Sequence, residues 1–172
     1  MSEFHRLIEQ QIPRLRRYAR ALTRNRDRAD DLVQDTLSRA LDKEQFWQAG
    51  TNLGAWLFTI MHNQNVNNVR RGARESAAVD IEWISATLPA TTDPSASRKM
   101  VELARALARL PLGQRQVILL VGLEGMSYEE TSRILGIPVG TVRSRLSRGR
   151  DTLRELLDME ERPGVAALPQ AA

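Results

Sequence analysis

An all-α chain, built as two small helical domains joined by a flexible linker, is predicted by three observations. Apolar residues recur at helical spacing over most of the 172 residues, and no segment shows the alternation of a strand. Residues 76–97, SAAVDIEWISATLPATTDPSAS, are rich in Ser, Ala, Thr and Pro and separate two such helical blocks. Residues 127–150, SYEETSRILGIPVGTVRSRLSRGR, combine a helix start, a glycine turn and a second helix carrying arginines. The expected domains are 1–75 and 98–160, with 161–172 as a frayed tail.

In the first block Leu7, Ile8, Ile12, Leu15, Tyr18, Ala19 and Leu22 mark an amphipathic helix, with a break expected at Pro13, which lacks the N–H a helix needs. A second helix covers DRADDLVQDTLSRAL, with Val33, Leu37, Ala40 and Leu41 as its buried stripe. Asp31, Asp35, Ser38 and Asp42 point the other way. Chemistry alone reads that acidic face as solvated, although its sign stands out in a basic domain. A third helix, from about Leu53 to Arg71, starts with Trp56, Leu57, Phe58, Ile60 and Met61 and then turns polar through HNQNVNNVRR. Five amides in six positions are poor helix formers. Exposed amides behind aromatics, followed by Arg70, Arg71 and Arg74, suit unstacked bases and phosphates. Aromatics in the core beside solvated amides are the other reading these residues leave open.

Ile81, Trp83 and Ile84 interrupt the polar linker, either as a docked helical turn or as a binding segment. In the last block MVELARALARLPLGQRQVILLVGLEGMS gives two amphipathic helices broken at LPLG, whose apolar positions Val101, Leu107, Leu110, Val117, Ile118, Leu120 and Val121 are core. Ser127 with Glu130 three residues later forms a capping box that starts the next helix. Gly136 ends it, and Pro138 fits the first turn of the last helix. On a helical wheel Val142, Leu146, Gly149, Leu153, Leu156 and Leu157 make the apolar back of that helix, Ser144, Ser147, Arg148 and Asp151 its front, and Arg143, Arg145 and Arg150 its flanks. An apolar back with an Arg and Ser front suits a DNA major groove, where Arg reads guanine bidentately and Ser donates or accepts at either base. Five arginines against Asp151 and Glu155 favour phosphate contact.

The net charge of +4 is uneven: residues 1–28 hold eight arginines against three acids, whereas 76–97 hold three acids and no base. Such asymmetry points to a polyanionic partner. Without cysteine there is no disulfide, thiolate metal site or cysteine nucleophile, and His5 and His62 stand alone. Asp30, Asp31 and Asp35 do not make a metal site either, because the first two diverge by about 100° on a helix and no further acid or histidine completes the set. Neither enzymatic activity, a metal nor a cofactor is expected. No apolar run approaches a bilayer span and the start MSEFHRLIEQQ lacks a signal-peptide core, so a soluble, cytoplasmic protein without membrane insertion is expected.

Taken together, RADDLVQDTLSRAL, GAWLFTIMHNQNVNNVRR, LPLGQRQVILL and GMSYEETSRILGIPVGTVRSRLSRGRDTL, in this order, resemble a bacterial extracytoplasmic-function (group 4) sigma factor of the sigma-70 family over roughly residues 10–157. The general pattern, including ADDLVQDT and GTNLGAWLFTI, is closest to stress-response members of alphaproteobacteria. The resemblance implies a transcription initiation factor that carries only the second and fourth sigma domains. It implies binding to the core RNA polymerase, through the beta-prime and beta subunits, to promoter DNA and to an anti-sigma factor. Asp31, Gln34, Asp35 and Leu41 would dock on the beta-prime coiled-coil clamp. Asn63, Asn67, Arg70 and Arg71 would face the nontemplate strand of the minus-ten element, with Phe46, Gly50, Thr51 and Asn52 near a flipped base, whose extrusion costs a few kcal/mol. Arg143, Ser144, Ser147 and Arg148 would meet bases of the minus-35 element, and Ser127, Tyr128, Thr141 and Arg145 phosphates. The acidic linker would thread toward the polymerase active site and RNA exit path. A plain helix-turn-helix regulator that never binds polymerase is the rival reading, and capture of core polymerase separates the two.

Overall fold

The computed structural model describes residues 2–72 and 93–161, which hold seven α-helices and no strand. The linker residues Ile81, Trp83 and Ile84, together with Arg74 and the tail, lie outside the described residues. Helix α1 spans Glu3–Thr23, α2 Arg26–Asp42 and α3 Leu53–Gly72. Ser2 caps α1 by accepting the His5 N–H. The helix does not break at Pro13. Pro13 and Glu9 both lie on the exposed face, so water can take the carbonyl that proline leaves without its helical donor. Arg24, in the left-handed region at φ 58°, makes the turn, and Asn25 caps α2 by accepting the Arg28 N–H at 2.9 Å. Leu15, Tyr18 and Leu22 of α1 then meet Leu32 and Val33 of α2 and Leu57, Phe58 and Met61 of α3 in a closed core. Tyr18 and Phe58 stack edge to face at 5.0 Å.

The second block starts at Pro94, four residues before the expected boundary, because Asp93 accepts the Ser95 N–H at 2.9 Å and Pro94 fits the first helical position. Its helices are α4 (Pro94–Arg109), α5 (Leu112–Ile118, running on into a π turn at Leu119–Leu123), α6 (Tyr128–Leu135) and α7 (Val139–Glu161). One buried arginine organises this block. The Arg115 guanidinium donates to the carbonyls of Leu107, Ala108 and Leu110 at the end of α4, and to Leu22 at the end of α1. Helix C-termini carry partial negative charge and carbonyls without helical donors, so this cation satisfies two helix ends without a carboxylate. Burial, and then the nearby Arg24 charge, push its pKa down to about 10, so it stays charged at neutral pH.

The two blocks do not hang apart. Helix α1 lies against α4, α5 and the π turn, and α3 lies against α6, so that one continuous apolar core runs through both.

Candidate nucleic-acid interface

The helix-turn-helix is formed as its local signals require. Ser127 accepts the Glu130 N–H at 3.0 Å while the Glu130 carboxylate accepts the Ser127 N–H at 2.9 Å. Gly136 leaves α6 at φ 63°. The N–H of Ser127, then the amide of Asn52, hold the Glu130 carboxyl below the usual carboxylate range. On α7, Val142, Leu146 and Gly149 are buried, with Leu153, Leu156 and Leu157 half-buried behind them. A Cβ on Gly149 would stand 2.6 Å from Ile118 Cδ1, which shows how closely α7 lies on α5. Arg143, Ser147, Arg148 and Arg150 are exposed. Tyr128 and Thr141 are half-buried beside them, and the Arg143 guanidinium lies 5.9 Å from the Tyr128 ring centre, a cation–π distance.

One position differs from the helical wheel, and a flanking one is held more closely than a wheel can show. Ser144 is half-buried and its hydroxyl donates to the Thr141 carbonyl at 3.1 Å, so it is not a free outward group. Arg145 is also half-buried, its guanidinium resting over Gly113 at the start of α5, where a Cβ would come within 3.0 Å of Nη1. Ser127 is exposed but its hydroxyl already serves the cap.

On α2, Asp31, Gln34, Asp35, Ser38 and Asp42 form an exposed strip. Leu41 belongs to that strip and not to the buried stripe: it is 42% exposed, and Leu32, Val33, Thr36 and Ala40 fill the core in its place. Thr36 is admitted there because its hydroxyl donates to the Leu32 carbonyl at 2.7 Å.

On α3 the amide run divides by face. Asn63, Asn67, Asn68, Arg70 and Arg71 are exposed, whereas Gln64 and Asn65, expected with the exposed amides, are buried. The aromatics upstream are core or near-core, with Phe58 buried and Trp56 half-buried against Phe4. Phe46 is the reverse: an aromatic side chain 70% exposed at the end of the 3₁₀ turn Glu44–Phe46. Gly50, at φ 85°, and Thr51, which donates to the Gln48 carbonyl, shape the exposed loop that follows. Asn52 is doubly engaged, accepting the Ala55 N–H at 3.1 Å as the cap of α3 and donating to Glu130 at 2.7 Å.

The residues that join the blocks escaped sequence reasoning. Glu124, in the bend after the π turn, has a side chain 0% exposed and receives Arg14 and Arg17 of α1. His62 of α3 stands 3.4 Å from Gln116 of α5, and burial pushes its imidazole below its ordinary value. The available signal was one acid inside the apolar run VILLVGLEGM, facing an arginine-rich first helix. Among the described residues no cluster of His, Cys, Asp or Glu could hold a metal ion, and no helix is long and apolar enough to cross a membrane.

Comparison with known proteins matches these two blocks separately. Residues 8–62 fit the family model described as the Sigma2 domain of PhyR, and residues 100–153 the model of Sigma-70, region 4. The chain is 43% identical over 146 residues to the ECF RNA polymerase sigma factor EcfG of Rhodopseudomonas palustris, covering 85% of this chain and 80% of that protein. It is 37% identical over 164 residues to the ECF sigma factor SigE of Mycolicibacterium smegmatis, covering 91% of this chain and 62% of that one. Among solved structures, the sigma factor RpoE in complex with the anti-sigma factor NepR from Bartonella quintana superposes with a TM-score of 0.76 at 34% identity, over 93% of this chain and 99% of that one. CnrH in complex with the cytosolic domain of CnrY gives 0.65 at 28% identity, over 91% and 88%.

Proposed function

The chain belongs to the extracytoplasmic-function sigma factors of the sigma-70 family, and from that premise we propose how its surfaces divide the work of promoter selection. It is an alternative sigma factor, and sigma factors are initiation factors and not enzymes. Residues 1–75 serve as the second sigma domain, 76–97 as the linker, whose last four residues form the first turn of α4, and 98–160 as the fourth. The exposed acidic strip Asp31, Gln34, Asp35 and Leu41 docks on core polymerase: its carboxylates face solvent and Leu41, 42% exposed, offers an apolar centre beside them, the pairing of charge and apolar contact that protein interfaces favour. Exposed Asn63, Asn67, Arg70 and Arg71 face the nontemplate strand, and Phe46, Thr51 and Asn52 border the unstacked base. Phe46 carries this part of the reading, since an aromatic ring left bare supplies a stacking platform.

Arg143, Ser147 and Arg148 read bases of the minus-35 element. Ser144 joins them only by giving up its bond to Thr141. Ser127, Tyr128, Thr141 and Arg145 lie nearer phosphates. An anti-sigma factor holds the chain inactive in the cytoplasm until a stress signal releases it; complexes of RpoE with NepR and of CnrH with CnrY support this for relatives of the same architecture.

The observation that carries the docking assignment is an acidic, solvent-facing strip on a domain whose first helix is basic. Reversing charge at Asp31 and Asp35 together is expected to abolish holoenzyme formation with unchanged helicity by circular dichroism. Wild-type affinity of that double variant for core polymerase would remove the assignment.

A further inference from the structure

We infer that the packing of the two blocks against each other is an autoinhibitory latch, fastened by Glu124 between Arg14 and Arg17, which must open before the chain can occupy both promoter elements. The inference rests on the sigma-factor reading above and adds to it a regulatory state of the free chain.

The geometry of the latch is specific. Arg17 donates through Nη2 to both carboxylate oxygens of Glu124 at 3.0 Å and through Nε to Oε1 at 3.1 Å. Arg14 donates through Nε to Oε2 at 3.0 Å and through Nη2 to the Glu124 backbone carbonyl at 2.9 Å. All of these donors come from α1, across more than a hundred residues of chain, so the pairing exists only while the blocks are closed. A fully buried carboxylate is tolerable only when paired, because desolvation of a lone charge is costly. Its two arginines remain about one-third exposed, which leaves them open to competing water and to a competing anion. Such a cluster fixes register more than it adds affinity, since on opening all three charges regain hydration. That is the behaviour of a latch and not of a glue.

Four lesser contacts follow the same seam. Arg115 donates to Leu22 at 3.0 Å and Arg24 to Ala108 at 2.8 Å, each bridging the end of α1 and the second block. Gln116 meets His62, and Glu130 takes the amide of Asn52. Asn52 is one of the residues assigned above to the minus-ten element, so closure removes it from DNA directly. The larger obstacle is distance. Elements centred at minus-ten and minus-35 lie about 25 base pairs apart, which at about 3.4 Å per step is roughly 85 Å of duplex. Two domains within hydrogen-bonding reach of each other cannot span it. Core polymerase therefore binds an open minority, and its apparent affinity is reduced by the open fraction.

The chain has no cysteine, so Glu9→Cys and Arg105→Cys, both at exposed positions on α1 and α4, can carry a donor and an acceptor dye. In this labelled full-length chain Glu124→Gln, which keeps the shape and removes the charge, is expected to lower energy transfer in the free protein and to tighten binding to core polymerase by about tenfold. Arg17→Gln approaches the same latch from the other block and should act likewise, with circular dichroism confirming that helicity is kept. The swapped variant carrying Arg14→Glu, Arg17→Glu and Glu124→Arg should recover energy transfer. Unchanged transfer in both single variants would overturn the latch. Lowered transfer with unchanged polymerase affinity would overturn its inhibitory role. If no variant, wild type included, bound core polymerase, the sigma reading itself would fail, while the transfer measurement would still decide whether the latch exists.

Discussion

Replacing Arg115 with Met keeps the length of the side chain and removes the cation that ties the end of α4 to α5 and to α1. The consequence follows from its four acceptors. The Ala108 carbonyl keeps a bond from Arg24, and the Leu107 carbonyl keeps the Leu110 N–H. The carbonyls of Leu22 and Leu110 accept nothing else among the described bonds and are left buried without a donor. At about 1–3 kcal/mol for each stranded polar group, Arg115→Met should cost roughly 2–6 kcal/mol, a large share of the 5–15 kcal/mol typical of a domain. Arg115→Lys keeps the charge but replaces three donor nitrogens with one, so it should fall between. Urea denaturation followed by circular dichroism measures this as a lower midpoint at unchanged slope. An Arg115→Met unfolding free energy within about 0.5 kcal/mol of wild type, the range of a neutral surface change, would refute the claim that this buried cation holds the second block together.

At the contact of α5 with α7, Gly149→Leu should cost about 1–3 kcal/mol by overpacking against Ile118 and should weaken minus-35 binding through displacement of α7; a variant as stable as wild type would show that the contact is loose. The His62 imidazole sits below its ordinary value of 6.5 in the folded chain, so as pH falls below 6.5 the unfolded or opened chain takes up a proton that the closed chain does not, and stability declines. Thermal unfolding between pH 7 and pH 5 should therefore show a steeper loss for wild type than for His62→Gln, and equal slopes would remove the effect. Arg148→Ala should cost about 1–3 kcal/mol at a preferred minus-35 base and relax discrimination at that one position, whereas Arg145→Ala should weaken all sequences alike and lower the salt dependence. A randomised minus-35 library reads both, and the reverse pattern would mean that α7 is rotated in the groove.

Features written in local sequence were legible, and those made by distant residues were not. The Ser127–Glu130 box, the left-handed Gly136 and the apolar back of α7 each follow from residues within a few positions of one another. The acidic face of α2 was legible for the same reason, although Leu41, in the last turn of the helix, lies on it and not in the buried stripe. Pro13 misled because propensity counts the lost N–H without knowing that Glu9 faces water. Gln64 and Asn65 misled because composition does not show that they continue, at helical spacing, the buried face of Leu57, Phe58 and Met61. Ser144 turned from the expected front to a carbonyl one turn back, and Arg145 kept its flanking place, resting over a glycine on α5 that leaves room for a guanidinium. The pairing of Glu124 with Arg14 and Arg17 joins residues on opposite sides of the linker, where periodicity carries no information.

The central claim, that this chain directs polymerase to promoters and is not a free-standing DNA-binding regulator, is tested most directly by reconstituting transcription from purified core polymerase, this chain and a library of randomised promoters. Transcripts should arise only when the chain is present, from templates that share sequence preferences at both minus-ten and minus-35, and should disappear with the Asp31 and Asp35 reversal. Tight, sequence-specific duplex binding by the chain alone, with no chain-dependent transcript from any template, would contradict it.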